Sequence, residues 1–259
     1  DAHLCEGVLI PTETRLTACV SSQIGCSLSC RFCATGYIER KRNLEFDEIY
    51  DEVVLINREC EKQYGKKLTN IVFMGMGEPL LNYRNVNNAI ARITAPDGLA
   101  MSPRRITVST AGVAKQIKQL GDDGVRYKLA LSLHAPTDEK RNQIMPINET
   151  NNLKALVDAL NHFYRKTKNE ITLEYILFKD LNDSEQDAND LIKIYRQIPA
   201  DLVNIIEYNP IDFAKFEKPT EERVQQFMAH LGKNRVNAHL RRSRGKDIDA
   251  ACGQLANKN

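Results

Sequence analysis

Short apolar runs alternate along the chain with longer segments in which apolar residues recur at helical spacing. Six runs predict β-strands, at residues 16–22, 69–74, 106–109, 128–133, 172–178 and 203–208. A seventh run, at residues 236–241, predicts a further strand at an edge of the sheet. Runs of this length, alternating or continuously apolar, are more typical of strands than of helices.

The intervals between these strands show apolar residues three and four positions apart, which predicts amphipathic helices. Two examples are Ile49, Val53, Ile56 and Cys60, and Leu153, Leu156, Val157 and Leu160. Asp183 with Gln186 three residues later indicates the start of a helix, and Pro199 follows the end of one. Six successive strand–helix units predict an α/β fold with a parallel sheet and right-handed crossovers.

Polar residues on the predicted strands indicate what the sheet surrounds. In the first strand, Thr17, Cys19 and Ser21 share one face, and the apolar residues between them share the other. The same split recurs at Thr107 and Ser109, at Ser132 and His134, and at Glu207 and Asn209. The inside of a closed barrel is apolar, whereas α/β folds bind ligands at the carboxyl ends of their strands. We therefore expect a partly open barrel that holds a polar ligand.

Length and composition narrow the class of protein. The chain has 259 residues, of which 42% are hydrophobic and 27% charged, which suits one globular α/β domain. No run approaches the ~18 apolar residues of a membrane span, and the first residues, DAHLCEGVLIPTE, do not form a signal peptide. An odd number of cysteines, seven, argues against a disulfide framework. These features predict a cytoplasmic protein.

Three cysteines, Cys26, Cys30 and Cys33, lie in the segment GCSLSCRFCATG with C-x3-C-x2-C spacing. Thiolates are the natural ligands of iron–sulfur clusters, and a four-iron cluster closed by protein needs four of them. Three ligands leave one iron with an open position, as in a catalytic metal site. The spacing therefore predicts a [4Fe-4S] cluster with a catalytic role.

A structural zinc site and buried structural thiols are the alternatives for these three cysteines. A structural zinc site normally has a fourth Cys or His at short spacing. No histidine lies between His3 and His134, and the next cysteine, Cys60, belongs to a helical pattern. The spacing therefore favours the iron–sulfur cluster.

The cysteine segment, with an aromatic residue just before the third cysteine, resembles the radical S-adenosylmethionine (SAM) motif. Six further segments resemble the dual-specificity ribosomal and transfer RNA adenine-C2 methyltransferases of that superfamily: TACVSSQIGC, VFMGMGEPL, SPRRITVSTAG, LALSLHAP, IIEYNP and DIDAACGQL. A sister group that methylates C8 of the same ribosomal adenosine shares most of these segments, and Pro79 after Glu78 favours the C2 group. The resemblance implies the partial (β/α)6 barrel of radical SAM enzymes, with an extra C-terminal strand.

The resemblance also implies which residues bind the cofactors. The cluster ligands would be Cys26, Cys30 and Cys33, the contacts to the SAM amino group Gly77 and Glu78, and the further SAM contacts Ser109, Ser132, Leu133, His134 and Asn209. Glycines let the backbone approach a ligand closely, and a carboxylate pairs with an ammonium group. Taken alone, His134 fits an orienting or packed histidine better than a proton shuttle, so we expect it to have a binding role.

Two more cysteines are implied to carry the reaction. Cys252 matches the cysteine that becomes S-methylated, and Cys19 matches its partner, which resolves the RNA adduct. Glu6 matches a glutamate assigned as proton acceptor. Taken singly, each of the two cysteines would more often be an inert buried thiol. Cys5 and Cys60 match no catalytic position, and we expect them to be structural or incidental.

The implied reaction explains why a cluster, SAM and two further cysteines are needed. C2 of adenine lies between two ring nitrogens and is electron-poor, so it does not attack an electrophilic methyl group. By resemblance, one SAM methylates Cys252, and a second SAM is split reductively to a 5′-deoxyadenosyl radical that abstracts hydrogen from this methyl group. The resulting carbon radical adds to adenine C2. Cys19 then attacks the Cys252 sulfur, which releases methylated RNA and leaves a transient disulfide for a reductant to restore.

The implied substrates are 23S rRNA, at the peptidyl-transferase centre, and tRNA anticodon loops. Positive charge is local, since the net charge is only +2, and it clusters at residues 40–42, at Arg104 and Arg105, and at Arg241, Arg242, Arg244 and Lys246. Any one cluster alone would be a solvated charged face, but three clusters beside the motifs favour contact with RNA phosphates. An RNA-binding module stabilised by a metal, without turnover, is the alternative from another class.

The resemblance further implies an electron donor such as flavodoxin or ferredoxin with its reductase, and we expect a monomer. The resembled enzymes carry a helical N-terminal accessory domain that this sequence lacks. We therefore expect residues 1–259 to form a single radical SAM catalytic domain.

Overall fold

The computed structural model describes residues 1–242, 245 and 250–256. The strands in this part of the chain are β1 (Val8–Pro11), β2 (Leu16–Cys19), β3 (Gln23–Ile24), β4 (Arg42–Asn43), β5 (Asn70–Phe73), β6 (Ile106–Thr110), β7 (Lys128–Ser132), β8 (Ile171–Leu177), β9 (Leu202–Glu207) and β10 (Ala238–Arg241). The α-helices are α1 (Phe46–Tyr64), α2 (Tyr83–Thr94), α3 (Ala114–Asp122), α4 (Asp138–Ile144), α5 (Leu153–Thr167), α6 (Glu185–Tyr195) and α7 (Glu221–Lys233). No helix in these residues is long and apolar enough to cross a membrane.

Eight strands form one curled sheet in the order β1-β2-β5-β6-β7-β8-β9-β10. All neighbours from β2 to β10 are parallel, and β1 pairs with β2 in the antiparallel direction. Helices follow each of the six strands from β2 to β9, which confirms the predicted half-barrel of six strand–helix units. The predicted edge strand is β10, which pairs with β9.

The main core lies between the sheet and the helices, because strand residues on one face meet the apolar stripe of each helix. In α1, Ile49, Val53 and Cys60 are buried, as their spacing predicts. The helix begins where the Glu48 carboxylate accepts a hydrogen bond from the Glu45 N–H at 2.8 Å. It ends at Gly65, whose φ of 63° is the left-handed conformation that glycine adopts at low cost.

Helix α6 starts one residue later than the sequence predicts. Ser184 caps it by accepting a hydrogen bond from the Asp187 N–H at 3.1 Å, and the Asp187 carboxylate accepts one in return from the Ser184 N–H at 3.1 Å. The Asp183 carboxylate is used elsewhere, because it accepts a hydrogen bond from the Asp180 N–H in the preceding turn. The capping box is therefore Ser184 with Asp187, and the pairing of Asp183 with Gln186 was wrong.

Three strands were not predicted. Strand β1 extends the sheet beyond β2, and β3 pairs with β4 in a separate two-stranded sheet. Strands β3 and β4 have two residues each, too few to show a period-two pattern. All four residues of β1 are only half-buried, so β1 lacks the strong apolar signal of a central strand.

The packing of α5 against α3 generates a stability prediction. Phe163 on α5 is fully buried, and its backbone lies against Gly121 of α3, where an added Cβ would meet the Phe163 Cα at 3.0 Å. Phe163→Ala should lower the free energy of unfolding by about 3–5 kcal/mol, because it leaves a cavity in a close-packed interface. Leu55→Ala is the control, since Leu55 is 60% exposed and its loss should matter by about 0.5 kcal/mol or less. Urea unfolding measures both, and equal losses would contradict this packing.

Candidate active site

Cys26, Cys30 and Cys33 lie in the loop between β3 and β4, which we call the cysteine loop (residues 25–37). Phe32, between the second and third cysteines, is buried and anchors this loop. Its ring packs edge-on against His134, with 4.8 Å between ring centroids, and tilted against Phe178 at 5.7 Å. An aromatic residue at this position therefore fixes the three thiols over the carboxyl ends of the strands.

The three thiols influence one another electrostatically. Burial raises the pKa of Cys26 to about 11, and a neighbouring Cys33 thiolate contributes in the same direction. Burial raises the pKa of Cys30 well above its ordinary value, as do the thiolates of Cys33 and Cys26. Bringing three thiolates together in this loop is therefore costly unless cationic iron offsets their charge.

The donor set fits an iron–sulfur cluster better than a single ion. Within the described ranges, no three Cys, His, Asp or Glu side chains converge closely enough to hold one metal ion. Each ligand of a four-iron cluster binds a different iron atom, so its ligands need not converge on one point. Soft thiolates are also the ligands such clusters take.

Glu78 lies after β5 and is buried. Its carboxylate accepts hydrogen bonds from the backbone N–H of Ala111 at 2.7 Å and of Leu80 at 3.0 Å. Burial raises its pKa, and these hydrogen bonds lower it in part. Among the residues that the structure describes, Glu78 forms no ion pair within 4.0 Å, so this buried carboxylate fits the ammonium group of a bound amino acid moiety.

The backbone conformation at Gly77, next to Glu78, requires glycine. Gly77 has a φ of 90°, and a Cβ there would lie 2.5 Å from the Gln23 Cβ, so only glycine fits. The Gln23 side-chain oxygen accepts a hydrogen bond from the Glu78 N–H at 2.9 Å. This contact links the end of β5 to β3, directly before the cysteine loop.

Ser109, Ser132, Leu133 and His134 follow one another around the neighbouring strand ends. The hydroxyl oxygens of Ser109 and Ser132 are 3.4 Å apart on β6 and β7. The Leu133 side chain lies in the main core, so any ligand contact there must come from its backbone.

His134 is a buried residue with a φ of 56°. Its Nδ1 accepts a hydrogen bond from the Ile176 N–H at 3.1 Å, which leaves the proton of the neutral ring on Nε2. Burial lowers its pKa to about 3, and the nearby Arg141 charge acts in the same direction. The ring is therefore neutral near pH 7, which favours an orienting or binding histidine over a proton shuttle.

Arg141 of α4 is a residue that sequence reasoning missed. It is completely buried, and its guanidinium donates to the carbonyl oxygens of Ala111 at 2.5 Å, Leu133 at 3.1 Å and Ser132 at 3.2 Å. It also donates to the Asn148 side-chain oxygen at 2.7 Å. Arg141 thus ties together the ends of β6 and β7. The only sequence signal was a charged residue at a helix position that faces the core.

Residues 250–256, which we call the C-terminal segment, return to the cysteine loop. The Ala34 N–H donates to the Gly253 carbonyl at 2.7 Å, and the Thr35 hydroxyl donates to the Leu255 carbonyl at 2.7 Å. The Asn209 side-chain amide donates to the Cys252 carbonyl at 3.2 Å. Cys252 is therefore held between the cysteine loop and the end of β9. The cysteine loop, the C-terminal segment and the end of β9, which lie far apart in the sequence, meet here.

Cys19 and Cys252 lie within electrostatic range of each other. Cys19 is buried, and Cys252 is solvent-exposed. Burial raises the pKa of Cys19 to about 12, with a contribution from a Cys252 thiolate. Surrounding protein atoms also raise the pKa of the Cys252 thiol, and Arg241 lowers it. Glu6 joins this group from the N-terminal side, since its carboxylate accepts a hydrogen bond from the Ala256 N–H at 3.2 Å.

Arg241 has surroundings that differ from those the sequence predicts. It was grouped with basic residues expected to contact RNA phosphates, but its guanidinium lies 3.3 Å from the Glu174 carboxylate and 3.9 Å from the Met74 sulfur. A Met74 backbone hydrogen bond stabilises the Cys19 thiolate, so Arg241 and Cys19 share a neighbour. Arg244, Lys246 and residues 247–249 lie outside the described residues.

Of the two remaining cysteines, Cys60 lies apart from this arrangement and Cys5 directly precedes Glu6. The Cys60 thiol is buried in α1 and donates to the Lys66 carbonyl at 3.1 Å, while Cys5 is exposed. Both placements agree with the expectation that these residues are structural or incidental.

Comparison with known proteins places this geometry in a family. The model of the "Radical SAM superfamily" matches residues 20–192. A relative from Cytophaga hutchinsonii, named "Probable dual-specificity RNA methyltransferase RlmN", is 57% identical over 100% of this chain and 70% of its own. A relative of the same name from Christiangramia forsetii is 55% identical over 100% of this chain and 73% of its own. A solved radical SAM methyltransferase from Sphaerobacter thermophilus superposes with a TM-score of 0.93 at 39% identity, over 97% of this chain and 73% of that chain.

The half-barrel, the three-cysteine loop and these matches define a radical SAM enzyme, which uses a [4Fe-4S] cluster and S-adenosylmethionine. Within that superfamily the chain belongs to the RlmN family of dual-specificity RNA methyltransferases. Structures of lower identity agree on the fold alone, such as SuiB of Streptococcus suis with S-adenosylmethionine bound, at 13% identity and a TM-score of 0.63.

The position of Arg241 generates a pH prediction. Since its positive charge lowers the pKa of both Cys19 and Cys252, Arg241→Gln should raise both pKa values further. The fraction of Cys252 present as thiolate at a given pH then falls, so anaerobic alkylation by iodoacetamide should shift to higher pH. Mass spectrometry of the alkylated peptide gives this profile.

Arg242→Gln is the matched control, because the Arg242 side chain is 63% exposed and pairs with Glu221 at the surface. Arg241→Lys should restore part of the wild-type profile, since it keeps the charge. An unchanged alkylation profile in Arg241→Gln would contradict an electrostatic role for this residue.

Proposed function

We propose that this chain methylates C2 of adenosine in 23S rRNA and in tRNA, through an S-methylated Cys252 and a transient disulfide with Cys19. The observation that carries the proposal is the docking of the C-terminal segment on the cysteine loop. The two hydrogen bonds from Ala34 and Thr35 to the Gly253 and Leu255 carbonyls hold the segment that contains Cys252 on the cysteine loop. Cys252 is also within electrostatic range of Cys19. A thiol that must both receive a methyl group and meet a second thiol needs this position.

The roles of the binding residues follow the same geometry. We assign the cluster to Cys26, Cys30 and Cys33, and the amino group of SAM to Glu78, with Gly77 allowing close approach. Further contacts to SAM are assigned to Ser109, Ser132, the Leu133 backbone, His134 and Asn209. When bound, cluster and SAM together supply one-electron chemistry that yields a carbon radical. The buried, hydrogen-bonded carboxylate of Glu78 supports its part in this assignment.

The two cysteines act in sequence. The Cys252 thiolate accepts a methyl group, and its exposed position leaves room for the donor and then for RNA. The methyl group on Cys252 loses one hydrogen atom to the radical that the bound cofactors would supply, its carbon bonds to adenine C2, and the adduct gives up the C2 proton and one electron, which the cluster would take back. The Cys19 thiolate then attacks the Cys252 sulfur, and the sulfur–carbon bond breaks. The electron pair leaves with the carbon, which takes up a proton to complete the methyl group, and a Cys19–Cys252 disulfide forms. A dithiol or a similar external reductant then supplies two electrons to restore both thiols.

Glu6 is proposed to accept the proton that leaves adenine C2. Its carboxylate is held at the C-terminal segment by the Ala256 N–H at 3.2 Å, four residues after Cys252. The Ser21 hydroxyl donates to the Glu6 backbone carbonyl at 2.7 Å, which fixes this part of the chain against the end of β2.

The partners follow from the chemistry. We propose that RNA phosphates contact the exposed basic residues Arg40 and Lys41, which follow the cysteine loop. Arg104 and Arg105 precede β6 and therefore lie at the opposite end of the sheet from the site, so they are left out of this proposal. A small electron-transfer protein such as flavodoxin or ferredoxin, with its reductase, supplies the electron. The enzyme works in the cytoplasm as a monomer, and residues 1–259 act as one catalytic domain.

Cysteine variants test the covalent mechanism. After anaerobic reconstitution with iron and sulfide, Cys19→Ala should accumulate a covalent RNA–protein adduct on denaturing gels, because no thiol can attack the Cys252 sulfur. Cys252→Ala should abolish methyl transfer and form no adduct, yet still cleave SAM. Cys60→Ser is the matched control, since Cys60 lies near the end of α1, away from Cys19 and Cys252, and a hydroxyl can keep its hydrogen bond to the Lys66 carbonyl. If Cys19→Ala turned over like the wild type, its resolving role would be wrong.

The product defines the position of methylation. Mass spectrometry of digested RNA should place the new methyl group at adenosine C2, and a product at C8 would overturn that assignment. Iron analysis gives an independent test, with four iron and four sulfide ions expected per chain. One zinc ion per chain in place of iron would instead support an RNA-binding module without turnover.

A further inference from the structure

Two exposed aromatic rings stack on each other beside the site. Tyr37 ends the 3-10 turn Ala34–Tyr37 of the cysteine loop, and Phe213 lies in the loop after β9. Their ring centroids are 5.2 Å apart with planes inclined by 27°. Tyr37 is 47% exposed and Phe213 58% exposed. We call these two residues the aromatic pair.

The pair is held in place, so its exposure is not that of a mobile loop tip. The Tyr37 hydroxyl donates to the Arg31 carbonyl at 3.1 Å. On the other side, the loop of Phe213 is anchored by the buried Ile211 and by Phe216, whose ring packs 4.8 Å from Phe178. Residues before and after Phe213 therefore face the interior while Phe213 itself faces solvent. Two large aromatic rings are thus fixed at the surface, each with about half of its area exposed to solvent.

The aromatic pair lies at the rim of the active site. Ala34, at the start of the turn that ends in Tyr37, donates to the Gly253 carbonyl at 2.7 Å. Pro210, three residues before Phe213, accepts a hydrogen bond from the Gln254 side chain at 3.2 Å. Both halves of the pair are therefore attached to the C-terminal segment within two residues of Cys252.

The charge around the pair suits a polyanion. Residues 31–41 and 212–218 carry five cationic and three anionic side chains. Arg31 and Lys215, which flank the two rings in sequence, are exposed. Aromatic faces combined with local positive charge are the features by which proteins bind single-stranded nucleic acid.

We propose that the aromatic pair is a stacking platform for RNA. An unpaired base next to the target adenosine would stack on the exposed ring face of Phe213. This inference rests on the proposed function, since it assumes an RNA substrate at Cys252. Stacking on an aromatic ring tolerates any base, because every base has a π-face. An enzyme that modifies two classes of RNA needs such a contact, because the bases flanking the target need not be the same.

RNA binding tests the platform directly. The probe is an RNA hairpin with one adenosine in its loop and the fluorescent base 2-aminopurine at the 5′ or the 3′ neighbouring position. The cluster-loaded wild type should quench one of these probes on binding, since stacking quenches 2-aminopurine. Phe213→Ala should abolish this quenching and weaken RNA binding by about 5- to 140-fold, the usual effect of one stacked base. Tyr37→Ala should act in the same direction, because Phe213 loses its support.

Matched variants separate stacking from bulk and charge. Phe213→Tyr should bind RNA like the wild type, whereas Phe213→Leu, apolar but without a π-face, should resemble Phe213→Ala. The salt dependence of binding should keep its slope in Phe213→Ala, since no phosphate contact is removed. Leu55→Ala, an equally exposed apolar residue on α1, should change nothing. Iron content and SAM binding should be the same in all variants, which shows that the site is intact.

The outcomes distinguish the two proposals. If the wild type binds RNA but Phe213→Ala and Phe213→Leu bind and quench equally well, the platform is wrong and the proposed function stands. If both probes stay unquenched with wild type bound, the platform is likewise wrong. If the cluster-loaded wild type binds no RNA at all, both the proposed function and the platform fail.

Discussion

The attachment of the C-terminal segment to the cysteine loop is the contact on which the proposed active site depends. Its two short hydrogen bonds, Ala34 N–H to Gly253 and Thr35 hydroxyl to Leu255, join parts of the chain about 220 residues apart. Closing so long a loop costs entropy, so the contact depends on the folded sheet that lies between the two segments. Cys252 is therefore solvent-exposed although the backbone on its C-terminal side is held in place.

Buried polar groups give the pocket its rigidity. Arg141, Glu78 and His134 all lie inside the half-barrel, and each is hydrogen-bonded to backbone of a neighbouring strand end. Buried polar groups are costly unless they are paired, so these contacts hold the strand ends in one arrangement. These contacts fix the backbone at the same strand ends where the proposed ligand contacts lie.

The strands and helices could be predicted because their burial produces a period in the sequence, and the three-cysteine spacing indicated the cluster. Features that depend on tertiary contacts leave no such period. Arg241 looked like one more surface cation until the sheet placed it against Glu174 and the thiol pair. Arg141 gave only the weak signal of a charged residue at a core-facing helix position, since its partners are mostly backbone carbonyls. The start of α6 was misplaced because Asp183 and Ser184 are both good caps, and only the preceding turn decides between them.

The half-barrel leaves two open edges, and their form limits what can add to the sheet. The strand at one edge, β1, has four residues and includes Pro11, which carries no N–H to offer a neighbouring chain. At the other edge, β10 also has only four residues. Short edge strands and proline are devices by which natural sheets avoid pairing with other sheets. An open barrel with such edge strands can therefore admit a large substrate without offering an edge on which other chains pair and aggregate.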